Sequence, residues 1–192
     1  MAAASSTMLD LSTPIPAFSL PDTLSEQHVT SSELLGAPAL VVAFVCNHCP
    51  YVKHILPELV EFGRECSSRG VRMVGISPND ETTYPEDAPA KMTELGRAMG
   101  FTFPYLYDAN QSVAKAFRAM CTPEFYVFDK AGKLAYRGQF DDSRPGNGKP
   151  VTGRDVRAAV DALLAGKSPD ERQVPSIGCS IKWKAGHAPK YT

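Results

Sequence analysis

The sequence predicts an α/β fold in which helices flank a mixed central sheet. Two apolar runs, residues 39–45 and 71–76, lack polar alternation, which is typical of strands buried on both faces. Between them, apolar residues recur at steps of three and four, as on one face of an amphipathic helix. Later apolar segments flank a glycine-containing turn, which indicates a β-hairpin. Strands that alternate with helices in this way favour a mixed sheet with helices on its faces.

The first half of the chain begins with a short edge strand predicted at residues 18–22. The buried strand at residues 39–45 comes next. A helix is predicted from Pro50, because proline is tolerated in a first helical turn. Its apolar face consists of Val52, Ile55, Leu59, Phe62 and Cys66. Residues 71–76 then form the second buried strand.

The next two predicted elements are helices. The first of them ends at Gly100, which is suited to a helix C-cap. Its shared face consists of Ala88, Met92, Leu95 and Met99. The second is marked by Val113, Phe117 and Met120 and ends just before Cys121.

The predicted hairpin has strands at residues 125–128 and 134–140, around a turn at residues 129–133. A last helix follows. Thr152 and Asp155 have the spacing of a capping box at its start, and Gly166 marks its end.

Length and composition bound the domain organisation. The 192 residues, 43% of them hydrophobic, suffice for one sizeable core. We expect one domain over residues 9–166. Residues 167–192 contain proline, glycine and lysine without clear periodicity, and we expect them to form a tail over the domain surface.

Charge and hydropathy argue against two kinds of partner. The formal net charge is −1 and lysine and arginine form no dense cluster, so we expect no nucleic acid partner. No apolar run is long enough to cross a bilayer, and residues 1–10 lack the basic and apolar regions of a signal peptide. We therefore expect a cytoplasmic protein without a membrane partner.

Chemistry is concentrated in the string Cys46-Asn47-His48-Cys49, between the first buried strand and the helix that follows it. Two thiols with this spacing at a helix start can close a disulfide, and the helix N-terminus stabilises a thiolate. An inert pair and a structural zinc site are the alternatives, but zinc usually needs a second close cysteine pair, which the sequence lacks. The spacing thus predicts a redox-active dithiol with Cys46 as the nucleophile.

His48 lies within electrostatic reach of Cys46. A histidine here would stabilise the Cys46 thiolate and make the disulfide a better oxidant. The alternative is an exposed loop histidine with little effect.

The other cysteines are isolated in the sequence. Cys66 and Cys121 have the character of buried small apolar residues. Cys179 has lysines nearby, which would lower its pKa, and it lies in the predicted tail, so it is a possible third redox thiol.

The chain resembles the thioredoxin-like superfamily, on the branch of alkyl hydroperoxide reductase and thiol-specific antioxidant proteins. The resemblance covers about residues 9–164 and rests on PAFSLPD at residues 16–22, on CNHCP after a strand, and on Thr122-Pro123 before the hairpin. The strings CNHCPYVKHI, DDSRPGNGKPVTG and SIGCSIKWK are similar to a subgroup of redoxin-domain proteins. The resemblance implies a thioredoxin-like fold, with Pro123 in cis against the dithiol and the Thr122 backbone facing a docked substrate.

Two departures from the superfamily pattern bear on the chemistry. Val45 stands where thioredoxins have tryptophan before the first cysteine. Cys49-Pro50 resembles the Cys-Pro of peroxiredoxins, in which the peroxidatic cysteine occupies this place and a Thr or Ser stands where this chain has Cys46.

These features support several functional hypotheses. The leading one is a thiol-disulfide oxidoreductase in which Cys46 attacks a substrate disulfide and Cys49 resolves the mixed disulfide. The second is a thiol peroxidase in which Cys49 becomes a sulfenic acid, resolved by Cys46 or Cys179. A third is a module that binds Cu(I) or zinc through Cys46, Cys49 and either His48 or His54. A fourth, an adaptor that uses the fold only for docking, would not need the dithiol.

The leading hypothesis needs no cofactor and no metal. Its expected partners are disulfide-containing proteins or small disulfides, with thioredoxin or glutathione as the electron donor.

Overall fold

The computed structural model describes residues 3–191. Met1 and Ala2, at the start of the segment that lacks signal-peptide features, and Thr192, at the end of the predicted tail, lie outside the described residues. The strands are β1 (Ala3–Ser5), β2 (Ser19–Pro21), β3 (His28–Thr30), β4 (Ala39–Phe44), β5 (Arg72–Ser77), β6 (Tyr105–Tyr107), β7 (Cys121–Thr122), β8 (Glu124–Asp129), β9 (Leu134–Gly138) and β10 (Ile177–Ser180). The helices are α1 (Ser31–Leu34), α2 (Pro50–Ser68), α3 (Pro89–Met99), α4 (Ser112–Ala116) and α5 (Arg154–Leu164), with a 3₁₀ turn at Pro85–Asp87 before α3.

The central sheet has the strand order β6-β5-β4-β8-β9. Strands β4, β5 and β6 are parallel, while β8 is antiparallel to β4 and β9 is antiparallel to β8. Helices α2, α3 and α5 pack on one face of this sheet, and α1 and α4 pack on the other. The prediction of a mixed sheet flanked by helices is confirmed.

Strand β4 is the centre of the sheet, and each of its residues is buried. Alternate side chains enter two hydrophobic clusters because successive residues of a strand point to opposite faces. One cluster receives Ala39, Val41 and Ala43, and the other receives Leu40, Val42 and Phe44. The absence of polar alternation in this run therefore reflects burial on both faces, as predicted.

Several elements differ from the sequence predictions. Strands β1, β3, β6 and β10 and helix α1 were not predicted, because each has at most four residues, too few to show a periodicity. Helix α4 ends at Ala116, earlier than its predicted end just before Cys121. The capping box at the start of the last helix is wrong: α5 begins at Arg154, with Gly153 at the N-cap and no side-chain cap. The amides of Thr152 and Gly153 instead donate to the buried carboxylate of Asp141, each over 2.6 Å.

A second, three-stranded antiparallel sheet has the order β1-β10-β7. Its middle strand comes from residues 167–192, the segment predicted to lie over the surface. Cys179 and Ile181 are both only 3% exposed. This part of the segment is thus built into the fold beside β7 and does not lie over the surface. Among residues 3–191, no helix is both long and apolar enough to cross a membrane.

Candidate active site

The dithiol lies at the carboxyl end of β4, where the chain turns into α2. Cys49 is the N-cap of the helix and Pro50 its first residue, a place where the missing proline amide costs no hydrogen bond. Cys46 and Cys49 are both fully buried, and neither forms a disulfide in the structure. The helix N-terminus therefore faces two closely spaced thiols inside the protein.

Thr122 and Pro123 lie against the dithiol. The peptide bond between them is cis, as the resemblance implied. The Thr122 hydroxyl oxygen lies 3.4 Å from Cys46 Sγ, and the Cys49 thiol donates to the Thr122 carbonyl oxygen over 3.1 Å. The two oxygen atoms of this one residue thus contact the two sulfur atoms.

The backbone of Thr122 has a second neighbour. Thr122 lies opposite Cys179 in the antiparallel pairing of β7 with β10. The resemblance implied that this backbone faces a docked substrate, but here a strand of the same chain lies along it.

Asp87 organises the residues between the two cysteines. This fully buried carboxylate accepts the backbone amides of Asn47 and His48 over 2.8 and 3.0 Å. It also accepts the Asn79 side-chain amide over 2.8 Å. The spacer is therefore held by side chains from the loop between β5 and α3.

His48 is directed at Asp87 more closely than at the thiol. Its Nδ1 lies 2.5 Å from Asp87 Oδ2 and 3.9 Å from Cys46 Sγ. Because a carboxylate can only accept, Nδ1 donates to Asp87. The ring stacks on Tyr84 at 4.8 Å between centroids, and the side chain is 10% exposed. His48 therefore lies within electrostatic reach of Cys46, as predicted, while its closest polar partner is Asp87. The alternative of an exposed loop histidine is wrong.

The two thiols have opposite pKa shifts. The pKa of Cys49 is lowered to about 5, chiefly by its hydrogen bond with Cys46, with help from Cys179 and Thr122. The pKa of Cys46 is raised well above its usual range by burial, by its hydrogen bond with Cys49 and by the charge of Asp87. The first proton is therefore lost from Cys49, which corrects the prediction that the helix lowers the pKa of Cys46.

The remaining cysteines are all buried. Burial raises the pKa of Cys66 to about 12 and that of Cys121 well above its usual range, as expected for inert thiols. Burial also raises the pKa of Cys179 to about 12, and the opposing effect of Lys182 is smaller. The predicted lowering of the Cys179 pKa by lysines is thus wrong, although this thiol lies beside Cys49.

One group of potential metal ligands adjoins the dithiol. Within residues 3–191, ligand atoms of Cys46, His48 and Asp87 lie within 4.8 Å of one another, while Cys49 and His54, also considered as ligands, are not in this group. The Asp87 oxygens already accept four hydrogen bonds, one of them from His48 Nδ1. A metal ion would have to displace these donors, so the arrangement favours a hydrogen-bond network.

Sequence reasoning missed Asp87 and Asn79. No local pattern links them to the dithiol, since Asp87 follows His48 by 39 residues. A topological signal was present, however. The carboxyl ends of parallel strands lie at the same sheet edge, so the loop after β5 has to lie near the cysteines that follow β4.

A dithiol that caps a helix and faces a cis-proline beside a mixed sheet defines a thioredoxin-like protein. The chain belongs to the AhpC/TSA family, whose sequence model matches residues 11–137. The branch named from the sequence is thereby confirmed.

Individual relatives agree with this assignment. The thiol-disulfide oxidoreductase YkuV of Bacillus subtilis is 28% identical over 109 residues, which are 56% of this chain and 71% of that protein. The crystal structure of an uncharacterized conserved protein from Geobacillus kaustophilus is 49% identical, with a TM-score of 0.94, over 96% of this chain and 97% of the other. A thioredoxin family protein from Chlorobium tepidum shares the fold at 21% identity, with a TM-score of 0.62, over 81% of this chain and 99% of the other. The family match and YkuV support an oxidoreductase, and the two solved structures support the thioredoxin-like fold.

Proposed function

We propose that this protein is a thiol-disulfide oxidoreductase whose redox centre is the Cys46/Cys49 dithiol. The observation that carries the proposal is the contact of both sulfur atoms with Thr122, beside the N-terminus of α2. Its substrates are disulfides of proteins or of small molecules. A thioredoxin or glutathione system in the cytoplasm would return the oxidised centre to the dithiol.

Two protonation states of the centre have different roles. In the resting state, Cys49 is the thiolate and the Cys46 thiol donates to it, in accord with their opposite pKa shifts. Transfer of the Cys46 proton to Cys49 Sγ gives the second state. In that state, the Cys49 thiol donates to the Thr122 carbonyl and the Thr122 hydroxyl donates to the Cys46 thiolate.

The reaction begins from the second state. The Cys46 thiolate attacks one sulfur of the substrate disulfide, whose other sulfur leaves as a thiolate and takes up a proton. Cys49, after losing its proton, attacks Cys46 Sγ of the mixed disulfide. The Cys46–Cys49 disulfide forms, and the substrate leaves with both of its sulfur atoms reduced.

A trapping experiment tests this assignment. Reduced protein is mixed with oxidised glutathione, free thiols are alkylated, and the products are mapped by mass spectrometry without reduction. We expect Cys49→Ser to retain glutathione on Cys46, while the unmodified sequence closes the Cys46–Cys49 disulfide. Cys66→Ala, at a buried cysteine near the far end of α2, is the control and should behave like the parent. If Cys49→Ser gains no adduct at Cys46, the proposed order of attack is wrong.

A thiol peroxidase is the second candidate, because the Cys49 pKa of about 5 makes a thiolate available directly before Pro50. Peroxide would then convert Cys49 to a sulfenic acid, which Cys46 resolves with release of water. The rate of oxidation by hydrogen peroxide separates the two functions. A rate far above that of free cysteine, lost in Cys49→Ser and kept in Cys46→Ser, would favour the peroxidase.

A further inference from the structure

Strand β10 brings a third thiol to the redox centre. Cys179 lies opposite Thr122 in the pairing of β10 with β7, and the Thr122 carbonyl is the group that Cys49 contacts at 3.1 Å. Helix α2 also packs against β10, and Cys46, Cys49 and Cys179 belong to one hydrophobic cluster. The three cysteines therefore lie together beside Thr122.

Gly178 fixes how closely β10 approaches this point. A Cβ atom at position 178 would lie 2.1 Å from the Thr122 carbonyl oxygen, so a larger residue could not occupy this register. The close approach places the next residue, Cys179, at the dithiol. The outer side of β10 is covered by β1, in which Ala3 lies opposite Cys179.

Cys49 is the thiol on which the other two act. Cys46 and Cys179 both lower the pKa of Cys49, and Cys49 in turn raises the pKa of each of them. Backbone amides at the start of α2 face the two sulfur atoms, with Val52 directed at Cys49 and Tyr51 at Cys179. The end of the helix thus favours negative charge at either sulfur during an exchange reaction.

Cys121 is also nearby but points elsewhere. Its sulfur lies 3.8 Å from the Pro123 carbonyl oxygen and 3.8 Å from the Glu124 carboxylate. It is a matched control, since it is equally buried and lies in the strand that pairs with β10.

We propose that Cys179 is a third redox residue of this centre, and that Cys49 forms a disulfide with either Cys46 or Cys179. This inference rests on the proposed redox function of the dithiol. In the exchange, Cys179 loses its proton and attacks Cys49 Sγ of the Cys46–Cys49 disulfide. The Cys49–Cys179 bond forms, the Cys46–Cys49 bond breaks, and Cys46 leaves as a thiolate that takes up the proton. No external oxidant or reductant is consumed.

The exchange changes what Cys46 can do. In the Cys46–Cys49 form, the attacking sulfur is blocked. In the Cys49–Cys179 form, Cys46 is free but has lost its resolving partner, so a mixed disulfide at Cys46 persists longer. Cys179 thereby provides the oxidised protein with a second state of different reactivity.

The test uses Cys46→Ser, in which the usual disulfide cannot form. The reduced variant is treated with diamide, alkylated and mapped without reduction. We expect an intramolecular Cys49–Cys179 disulfide, seen as the loss of two hydrogen atoms per chain and of two alkylated thiols. Cys46→Ser combined with Cys121→Ala should give the same disulfide, and Cys46→Ser combined with Cys179→Ala should give none.

The parent sequence supplies a second measurement that does not depend on a variant's folding. After oxidation and alkylation, we expect both disulfides, with the alkyl label on Cys179 in one fraction and on Cys46 in the other. Detection of the Cys46–Cys49 disulfide alone, with no Cys49–Cys179 bond in Cys46→Ser, would overturn the role of Cys179 and leave the proposed function standing. Absence of every intramolecular disulfide would overturn both.

Discussion

The Nδ1 atom of His48 lies 2.5 Å from Oδ2 of Asp87, a buried carboxylate supplied by the loop after the neighbouring strand. Asp87 has two effects on the redox centre, one on its structure and one on its charge. Its hydrogen bonds with the amides of Asn47 and His48 hold the spacer between the cysteines in place. Its negative charge raises the pKa of Cys46. The hydrogen bond from the His48 imidazole therefore weakens the effect of the Asp87 negative charge on the Cys46 sulfur.

Asp87→Asn removes this charge. We expect the pKa of Cys46 to fall, because a negative charge beside a buried thiol disfavours its thiolate. The thiolate absorbance of a Cys49→Ser background, followed against pH, measures this shift. Glu86→Gln, at an exposed neighbouring acid, is the control and should leave the titration unchanged. An unaltered pKa in Asp87→Asn would contradict the assigned effect.

His48→Ala leaves Asp87 without its imidazole partner. The Cys46 thiolate is then less stable, so the reduced form is disfavoured and the midpoint potential of the dithiol falls. We expect a fall on the order of 30 mV, which corresponds to ~1.4 kcal/mol for a two-electron couple. Equilibration with glutathione buffers gives the potential. His28→Ala, at an exposed histidine on β3, should leave the potential unchanged; a potential that stays constant in His48→Ala would refute the indirect role of His48.

Thr122→Val removes the hydroxyl that lies 3.4 Å from Cys46 Sγ and keeps the carbonyl that Cys49 contacts. We expect glutathione capture at Cys46 to slow by about tenfold, since a hydrogen bond to a charged group contributes ~1.5 kcal/mol or more. The rate is measured in the Cys49→Ser background. Thr122→Ser retains a hydroxyl and should restore most of the rate, and equal rates for Val and Ser would disprove its role.

The low pKa of Cys49 predicts a pH-dependent stability. Between its folded value of about 5 and its unfolded value of about 8.5, the unfolded chain binds more protons at this site. The free energy of unfolding of the reduced protein should therefore rise from about pH 6 to about pH 8. Urea unfolding under reducing conditions tests this. In Cys49→Ser the rise should be smaller, and identical pH profiles for the two proteins would count against a Cys49 thiolate.

Gly178→Ala should displace β10 from β7, because the added Cβ would lie 2.1 Å from a backbone oxygen. We expect a loss of about 1–3 kcal/mol in the free energy of unfolding, as for overpacked sites in other proteins. Urea unfolding measures the loss. Ile177→Ala, at a 44% exposed position of the same strand, is the control and should cost less. Equal costs would show that the approach at position 178 is not tight.

The central sheet and the dithiol could be predicted because their signals are local. Each signal is carried by residues close together in the sequence: the apolar run of β4, the helix periodicity of α2, and the spacing of Cys46 and Cys49. Gly100 was likewise assigned correctly as the end of α3, where it has a φ of 67°.

The parts that escaped prediction depend on contacts between distant residues. Asp87 accepts the His48 amide from 39 residues away, and Cys179 meets Thr122 only because β10 returns to β7. The charge distribution of the dithiol follows from these contacts. A helix N-terminus alone predicts a thiolate at Cys46, whereas Asp87 opposes charge there and the surrounding thiols favour it at Cys49.

The sheet β1-β10-β7 joins residues near both ends of the described chain to the strand beside the redox centre. A fragment limited to residues 9–166 would lack both β1 and β10, leaving the backbone edge of β7 without its partner. Unpaired strand edges pair readily with extended peptides or with other copies of a protein. Such a fragment would expose an unpaired strand edge next to Cys49. The protein used to measure the redox chemistry of the dithiol should therefore include both β1 and β10.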